Sequence, residues 1–421
     1  MKIKVVDKKY EEVLALPKAK HYKPVKQNIV FRIVLWIASC FDLVATQFKC
    51  KKIGMEKLGK NEPCLILMNH SSFIDLEIAA SVIFPKRFNI VTTTDAFVGM
   101  NWIMRLIGCI PTKKFVADAN LIRDMLYAIK ELKSSVLMFP EAGYSFDGTA
   151  TPLPDSLGRC VKMLGAPLVM IRTYGAFTRD PLYNGLRRRK VKVSADMKYL
   201  LSADEIAEKS AEEIGKIIND EFSFDSFRWQ QENQIAVRED FRAEGLNRVL
   251  YKCPHCMTEG RMVGQGTAIT CQQCGKQYGF MKALHGVTEY EHIPDWYRFE
   301  RDSVRQEIES GIYDLEVPVD ICMMVDTKAL YRVGQGILKH NLEGFHLTGC
   351  EGKIDYHQKP TASYTLNADY YWYEIGDVIC IGDAKVLYYC FPKNCGDIVA
   401  KTRLATEEMY KIVKKNRTIL Q

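Results

Sequence analysis

The chain between residues 51 and 200 alternates short, mostly apolar runs with segments of helical periodicity. Such runs, bounded by polar residues, are typical of buried strands, and longer amphipathic segments are typical of helices. The runs lie at 65–68, 88–91, 136–139, 168–171 and 191–193, with a helical segment at 121–132. This alternation predicts an α/β core in which a mixed sheet is flanked by helices.

A strongly apolar helical segment precedes this core at residues 28–46. Arg32 and Asp42 interrupt it and leave nine uncharged residues between them, whereas a membrane span needs roughly 20 apolar residues. We therefore predict a helix that lies in the membrane interface, anchored by Trp36, with a basic flank facing acidic head groups. That flank consists of Lys18, Lys20, Lys23 and Lys26. The alternative is a core helix of a soluble domain.

The chain changes character after about residue 293, where a helical segment over 293–310 is followed by short strand-like runs. Turn-forming residues separate these runs, which lie at 319–325, 330–338, 344–347, 362–366, 370–373, 377–381 and 386–391. A last helix is predicted over 404–413. Seven antiparallel strands capped by one helix resemble the pleckstrin-homology-like barrel in pattern alone. Such a domain would dock lipid or a partner, or serve only as a scaffold.

Length and composition are those of a globular protein with more than one core. The chain has 421 residues, 47% of them hydrophobic and 26% charged, so two or three domains are expected. A formal net charge of +7 suits anionic partners such as phosphorylated lipid, an acidic membrane or a phosphate-bearing donor. Fourteen cysteines and an N-terminus without an apolar secretory leader predict a reducing, cytosolic compartment.

Four of the cysteines form two Cys-x-x-Cys pairs, Cys253 with Cys256 and Cys271 with Cys274, and 14 residues separate the pairs. Four thiolates at this spacing enclose one tetrahedral Zn²⁺ in zinc ribbons. A site with four protein ligands is closed, so the predicted zinc is structural. The alternatives are two incidental pairs or disulfides. The ribbon lacks a dense basic and aromatic surface, so no nucleic acid is expected.

His70 directly follows the first apolar run, at a predicted strand-to-helix turn, and Asp75 lies one turn into the helix. Ser71 or Ser72 offers an N-cap for that helix. A carboxylate on Nδ1 of an imidazole fixes its tautomer and leaves Nε2 able to take a proton, which is the base-and-orienter half of a catalytic triad. The backbone N–H groups of Ser71 and Ser72 are candidate oxyanion donors. A His and an Asp five residues apart also occur by chance.

Three later stretches supply candidate substrate contacts. Lys113 and Lys114 follow a Gly turn and an extended segment, and they predict either a phosphate contact or a solvated loop. Glu141 lies at the end of a predicted strand, with small residues including Gly143 after it, and small residues let a ligand approach the backbone. The alternative there is an ordinary strand-end turn. Arg172 emerges at the end of a later strand.

Taken together, these stretches resemble the glycerolipid acyltransferase family, whose best-known members are the lysophosphatidic acid acyltransferases. The family's Asn-His-x-x-x-x-Asp block is matched by Asn69, His70 and Asp75. Its other blocks are matched in order by Gly108, Ile110 and Lys113, by Phe139, Pro140, Glu141 and Ser145, and by the apolar strand around Pro167. The resemblance covers roughly residues 28–220, about half of the chain.

The resemblance implies an O-acyltransferase that moves a fatty acyl group from acyl-CoA or acyl carrier protein to the hydroxyl of a lysophospholipid. Its first candidate acceptor is 1-acyl-glycerol-3-phosphate, and its place is the cytoplasmic face of the inner or plasma membrane, as a peripheral or monotopic protein. The family's catalytic residues correspond to His70 and Asp75. The implied substrate-binding residues are Asn69, Lys113, Lys114, Glu141, Gly143 and Arg172.

One departure from the family bears on the acceptor. Tyr144 stands where the family has an Arg that is expected to help hold the acceptor's phosphate, and a tyrosine cannot form a bidentate phosphate contact. Either Lys113, Lys114, Arg172 or the basic run at 187–190 compensates, or the acceptor lacks a phosphate there. The alternatives are therefore acylation of a different lipid head group and, from another class, a catalytically inactive membrane-binding module.

The predicted division of the chain has four parts. They are a membrane-associating helical region at 1–50, an acyltransferase domain at 51–248, the zinc ribbon at 249–284 and the β-rich pleckstrin-homology-like domain at 285–421.

Overall fold

The computed structural model describes residues 3–17, 19–114, 119–279, 293–393 and 397–419. Lys18 and the part of the predicted ribbon beyond residue 279 lie outside the described residues, as does the predicted boundary at 285. Three sheets, of seven, three and eight strands, organise the described part of the chain.

The seven-stranded sheet forms the core of the first half of the chain. Its strands are β2 (Lys49–Ile53), β3 (Leu65–Met68), β4 (Phe88–Thr93), β5 (Cys109–Thr112), β6 (Ser135–Met138), β7 (Leu168–Tyr174) and β8 (Ser194–Leu201). They lie in the order β2-β8-β7-β3-β6-β4-β5, and every neighbouring pair is parallel except β7 with β8. The predicted mixed sheet is confirmed, with β3 at its centre.

Helices cover both faces of this sheet. They are α3 (Ile74–Ile83), α4 (Asn101–Ile107), α5 (Ala119–Lys130), α6 (Leu157–Leu164), α7 (Ala176–Arg179), α8 (Ala203–Glu208), α9 (Ala211–Phe222) and α10 (Ser226–Glu232). Side chains of β3 alternate between two cores because successive strand residues point to opposite faces. Ile66 and Met68 pack with α3 on one side, and Leu65 and Leu67 pack with α5, α6 and α9 on the other.

The N-terminal segment consists of β1 (Val5–Asp7), α1 (Tyr10–Leu14) and α2 (Ile29–Ala45). The predicted apolar helix is confirmed in α2, which packs against α3 and α4. Trp36, predicted as a membrane anchor, stacks on Phe84 just after α3, with the ring centroids 4.6 Å apart. None of the helices in the described residues combines the length and apolarity needed to cross a membrane.

The two remaining sheets belong to the second half of the chain. β9 (Met262–Gln265), β10 (Ala268–Cys271) and β11 (Gln277–Gly279) form a small antiparallel sheet. Of the four paired cysteines, Cys271 ends β10, Cys274 lies between β10 and β11, and Cys253 and Cys256 precede β9. After α11 (Ile293–Glu309) come β12 (Asp314–Met323), β13 (Leu330–Asn341), β14 (Gly344–Gly349), β15 (Ile354–Gln358), β16 (Asn367–Trp372), β17 (Gly376–Gly382), β18 (Leu387–Pro392) and α12 (Ile398–Ile419). Their sheet order is β15-β14-β13-β12-β18-β17-β16.

Neighbouring strands along this order are antiparallel, and α12 packs against β16 and β17. The pleckstrin-homology-like assignment stays a prediction. The eighth strand of the sheet is β1, which pairs in parallel with β13, so the chain's first strand belongs to its last sheet.

Two predicted strands are wrong. Residues 191–193 are extended but unpaired in the sheet, since the backbone N–H of Val193 donates to the carbonyl of Thr46 beyond the end of α2. Residues 362–366 form a short 3₁₀ turn and a bend, and the strand of that region is β15 instead. Both segments contain buried apolar side chains, but their backbone does not pair with a neighbouring strand.

Candidate active site

His70 lies just beyond the carboxyl end of β3, in the turn that leads to α3. This edge of a parallel α/β sheet is where such folds bind their ligands. The backbone N–H of Ser145 donates to the carbonyl oxygen of His70 at 3.1 Å, so the turn is held by the loop that follows β6. The His70 side chain is 23% exposed, which leaves it accessible from solvent.

Asp75 faces His70 from the first turn of α3. Its Oδ2 lies 3.3 Å from Nδ1 of His70 and accepts hydrogen bonds from the backbone N–H groups of Ser71 and Ser72, at 2.6 and 2.9 Å. The carboxylate thus satisfies N–H groups at the start of the helix while it positions the imidazole. The predicted serine N-cap is wrong, since α3 begins after Phe73 without a side-chain cap. The predicted oxyanion role of these two N–H groups is also contradicted, because Asp75 occupies them.

Hydrogen bonds from Thr173 and Asn69 hold Asp75 and the neighbouring strand ends in place. The hydroxyl of Thr173 on β7 donates to Oδ1 of Asp75 at 3.2 Å. Asn69 joins the two strand ends: its Oδ1 accepts from the backbone N–H of Thr173 at 2.8 Å, and its Nδ2 donates to the hydroxyls of Thr173 and Ser71. Asn69 was predicted as a substrate contact, but its amide is buried and engaged within the protein.

Glu141 supports His70 from the loop after β6. Its Oε2 accepts the backbone N–H of His70 at 2.7 Å, and its Oε1 accepts the backbone N–H and the hydroxyl of Thr151. Burial raises the pKa of Glu141 to about 7, against the lowering effect of these donors. The carboxylate therefore lies behind the His70 backbone with three donors already bound. Its predicted contact with acceptor hydroxyls stays a prediction.

Two aromatic rings flank the imidazole. The ring of Phe139 stacks on His70 with centroids 4.2 Å apart, and the ring of Tyr144 lies 4.3 Å away at a tilted angle. Tyr144 also packs against the core of the C-terminal sheet, and burial raises the pKa of its phenol far above its ordinary value. An uncharged aromatic ring thus lies beside His70, at the position where the glycerolipid acyltransferase family has an arginine.

This arrangement has the geometry that a general base requires. Asp75 holds Nδ1, and among the described residues none hydrogen-bonds to Nε2 of His70. Nε2 is therefore the atom able to take a proton from a bound alcohol. The aromatic rings and the fixed backbone leave the imidazole little freedom to turn away.

Comparison with known proteins finds a similarity to one family. Residues 49–173 match the family model described as Acyltransferase, and the matched segment runs from β2 to β7 and contains His70, Asp75 and Glu141.

Two curated relatives are similar over part of this chain. The chloroplastic 1-acyl-sn-glycerol-3-phosphate acyltransferase BAT2 of Brassica napus is 30% identical over 128 residues, which are 29% of this chain and 36% of the relative. The chloroplastic 1-acyl-sn-glycerol-3-phosphate acyltransferase LPAT1 of Arabidopsis thaliana is 32% identical over 107 residues, which are 24% of this chain and 29% of the relative. The chain thus spans about a third of the length of these relatives.

Among solved structures, the crystal structure of the 1-acyl-sn-glycerophosphate (LPA) acyltransferase PlsC from Thermotoga maritima is similar to this chain. It shares 13% sequence identity with a TM-score of 0.37, over 45% of this chain and 78% of that one. A likeness at this level carries no argument about the site.

Two of the predicted basic contacts, Lys113 and Arg172, bond to other parts of the protein. Lys113, after β5, donates from Nζ to the carbonyl oxygen of Ala384 in the C-terminal sheet at 2.5 Å. Lys114 lines a cavity with residues of β16 and β17. Arg172 bonds to Glu221 of α9, because strand alternation turns it to the face opposite Thr173.

The other predicted substrate contacts are Gly143 and the basic run at 187–190. Gly143 follows Glu141, and a Cβ placed there would meet no atom within 4 Å, so crowding does not require a glycine. In the run at 187–190, Arg187 pairs with Glu244, Arg188 pairs with Asp42, and Arg189 is buried against Tyr183 and Asn184. A basic acceptor clamp is therefore not assembled by these side chains.

Sequence reasoning missed Thr173 and Thr151, the two threonines that hold the carboxylates of the site. Both lie far along the chain from His70, and a single threonine after a strand carries no signal of its own. The signal available for Thr173 was its place near the end of the apolar strand β7, but only the sheet order reveals that this strand runs beside β3.

The four paired cysteines form a second candidate site. Their sulfur atoms all lie within 4.8 Å of one another, with Cys256 and Cys271 at 3.6 Å and Cys253 and Cys274 at 3.9 Å. These separations are too long for disulfides, whose sulfurs are about 2.05 Å apart. They match a tetrahedral zinc, since thiolates at about 2.3 Å from the metal lie roughly 3.8 Å from one another.

Proposed function

We propose that this protein is an O-acyltransferase that transfers a fatty acyl group from an acyl thioester to the hydroxyl of a lysophospholipid, with 1-acyl-glycerol-3-phosphate as the first candidate acceptor. The observation that carries the proposal is the His70–Asp75 pair at the carboxyl edge of the sheet. The proposal is supported by the match of residues 49–173 to the acyltransferase family model. It is also supported by the similarity to two plant 1-acyl-sn-glycerol-3-phosphate acyltransferases.

The reaction begins with proton transfer to His70. Nε2 takes the proton of the acceptor hydroxyl while that oxygen attacks the thioester carbonyl carbon. Asp75 stabilises the imidazolium that forms and keeps Nδ1 in place. General-base assistance of this kind contributes roughly 10²- to 10⁴-fold in rate.

The reaction ends when the tetrahedral intermediate collapses. The new C–O ester bond stays, the C–S bond breaks, and the imidazolium of His70 returns the proton to the departing thiolate. No acyl-enzyme is required, because the acceptor oxygen attacks the donor directly. The donor is acyl-CoA or acyl carrier protein, both of which supply the same thioester chemistry.

The acceptor's head group is the open part of the proposal. Tyr144 presents an uncharged ring beside His70, and the nearby basic residues are engaged elsewhere in the protein. These contacts favour the alternative that the acceptor is a different lysolipid or lipid alcohol whose phosphate is not held at this position. A catalytically inactive membrane-binding module is the rival from another class.

Membrane contact through α2 accords with a lipid acceptor. One face of α2 carries apolar side chains that are each at least 40% exposed. These are Val30, Ile33, Val34, Ile37, Phe41 and Val44. Their spacing of three and four residues places them on one stripe, as in helices that lie in a membrane interface. We therefore propose peripheral attachment at the cytoplasmic face of a membrane.

We also propose that the four cysteines hold a structural Zn²⁺. Cys253 and Cys271 are buried in the core that joins the small sheet to the C-terminal part. A closed Cys₄ site contributes folding energy and offers no position to a substrate.

The test is thioester consumption by the purified full-length protein with vesicles. Acyl-CoA and acyl carrier protein donors are supplied with a panel of lysolipids and other lipid alcohols. Transfer to 1-acyl-glycerol-3-phosphate alone supports the first candidate acceptor, and transfer only to another acceptor keeps the reaction and changes the substrate. Folded protein that transfers to none of the panel would favour the inactive module.

A further inference from the structure

A cluster of two histidines and one aspartate lies on the outward face of the C-terminal sheet, away from both sites described above. His346 on β14 and His357 on the edge strand β15 are direct cross-strand partners. Asp355 lies two residues before His357 and therefore projects from the same face. Leu347, which follows His346, and Tyr356, which lies between Asp355 and His357, pack in the core on the other face.

The ligand atoms of this cluster converge. Nε2 of His346 lies 2.7 Å from Oδ1 of Asp355, and Nε2 of His357 lies 3.4 Å from the same oxygen. The two imidazole rings are stacked with centroids 3.8 Å apart. Ligand atoms at about 2.0 to 2.2 Å from a tetrahedral zinc lie roughly 3.3 Å from each other. The His357–Asp355 pair already has this separation, and the His346–Asp355 pair needs only a small side-chain movement. The ligand nitrogens of the two imidazoles lie within 4.8 Å of each other.

The charged residues around the cluster are compatible with a bound cation. Lys339 lies opposite His346 on β13, and its Nζ is paired with Glu316 at 2.7 Å. Two imidazoles and one carboxylate suit Zn²⁺ and similar transition-metal ions rather than Ca²⁺ or Mg²⁺, which prefer oxygen ligands only.

We propose that His346, Asp355 and His357 form a metal site for Zn²⁺ or a similar divalent transition-metal ion. With three protein ligands the site is open, unlike the closed cysteine site, so water or an external ligand completes the coordination. A bound ion links β15, the edge strand, to β14. The site is exposed, because the side chains of His346, Asp355 and His357 are 33%, 70% and 66% accessible.

The test measures zinc stoichiometry of the full-length protein by equilibrium dialysis against buffered micromolar Zn²⁺, followed by metal analysis. The wild type is expected to bind one Zn²⁺ more than the double variant His346→Ala/His357→Ala. The matched control is His21→Ala, which removes an exposed histidine bonded to a single aspartate, Asp124 at 2.9 Å, with no second imidazole. That control should bind as much zinc as the wild type.

The expected difference of one Zn²⁺ between the wild type and the double variant does not depend on the proposed cysteine site or on the proposed acyl transfer. It would therefore be observed even if either of those two proposals were wrong. Asp355→Asn, which keeps the side chain's size, is expected to bind the ion at least tenfold more weakly. Equal zinc content in the wild type and in a double variant with unchanged circular dichroism would overturn the proposal. If the double variant does not fold, the same comparison is made with the single variant His357→Gln.

Discussion

At the scale of single residues, the site depends on one carboxylate that serves several groups. Asp75 is fully buried and accepts hydrogen bonds from two backbone N–H groups and from Thr173 while it faces His70. The hydrogen bonds from these donors offset the cost of burying the carboxylate. Asp75 is therefore fixed before any substrate binds, and its orientation is transmitted to the imidazole.

We expect Thr173→Val to slow acyl transfer by about five- to tenfold, because one hydrogen bond to Asp75, worth about 1 to 1.5 kcal/mol, is lost. The change should appear in kcat and in the pH profile of kcat/KM rather than in KM alone. The control is Thr178→Val, which removes a buried hydroxyl that has no hydrogen-bond partner. Equal rates for the two variants would show that Thr173 does not position Asp75.

His340 on β13 makes folding stability depend on pH. It is buried, stacks on Phe345 and bonds to the hydroxyl of Tyr313 at 3.0 Å, and burial lowers its pKa from 6.5 to about 3. Below pH 6.5 the unfolded chain takes up a proton that the folded chain does not. From this group alone, the free energy of unfolding should fall by about 1.4 kcal/mol per pH unit as the pH drops from 6.5 towards 3.

Urea denaturation at several pH values checks this expectation. His340→Gln removes the titrating group, so its stability should depend less steeply on pH than that of the wild type over the same interval. Parallel curves for the two proteins would contradict the assignment.

The contact between His70 and Asp75 was predictable from the sequence, whereas the residues that hold the pair in place were not. His70 and Asp75 are five residues apart, so a strand-to-helix turn is enough to bring them together. Glu141 and Thr173 lie 71 and 98 residues from their partners in the site. Only the order of strands in the sheet creates those contacts. This is also why the hydrogen bond between Glu141 and the His70 backbone was not predicted.

At the scale of elements, apolar runs identify strands well when the strand is buried on both faces. β3 is such a strand, and its predicted bounds are confirmed. β15 alternates Ile, Asp, Tyr, His and Gln at the edge of the C-terminal sheet, so its apolar content is too low to stand out. Val191 and Val193 show the reverse error, because they are buried without belonging to a strand.

The exposed stripe of α2 leads to a prediction about membrane binding. Phe41 and Val44 are each 77% exposed, so Phe41→Ser/Val44→Ser should change the free energy of unfolding by less than about 0.5 kcal/mol. The same variant should bind acidic vesicles several-fold more weakly in a sedimentation assay. Ile312→Ser, at a residue 71% exposed outside α2, is the control. Unchanged vesicle binding by the α2 variant would exclude this face as the attachment site.

At the scale of the whole molecule, the C-terminal part contacts the loop that supports His70. The ring of Phe146 in that loop lies 4.7 Å from Tyr370 on β16, and the guanidinium of Arg403 on α12 lies 4.3 Å from the Phe146 ring. β1 pairs with β13, so the two ends of the chain share one sheet. The predicted acyltransferase domain is thus packed into the rest of the protein, and we expect its isolated segment to be less stable than the full chain.

Zinc removal tests how strongly the cysteine site supports this arrangement. Cys256→Ser should lose one Zn²⁺ and lower the thermal unfolding midpoint by several degrees, because Cys253 and Cys271 belong to the same core as Trp296. Cys160→Ser, at a half-buried cysteine of α6 outside the cluster, should retain the metal. Equal midpoints and equal zinc contents for the two variants would contradict a structural zinc.

The measurement that tests the central claim most directly is the rate of acyl transfer by His70→Ala, compared with the wild type on the best acceptor of the panel. If His70 is the general base, the variant should lose roughly 10²-fold or more in kcat while its circular dichroism and unfolding midpoint stay unchanged. His21→Ala, which breaks another His–Asp contact, should keep the wild-type rate. Wild-type turnover by folded His70→Ala protein would contradict the mechanism.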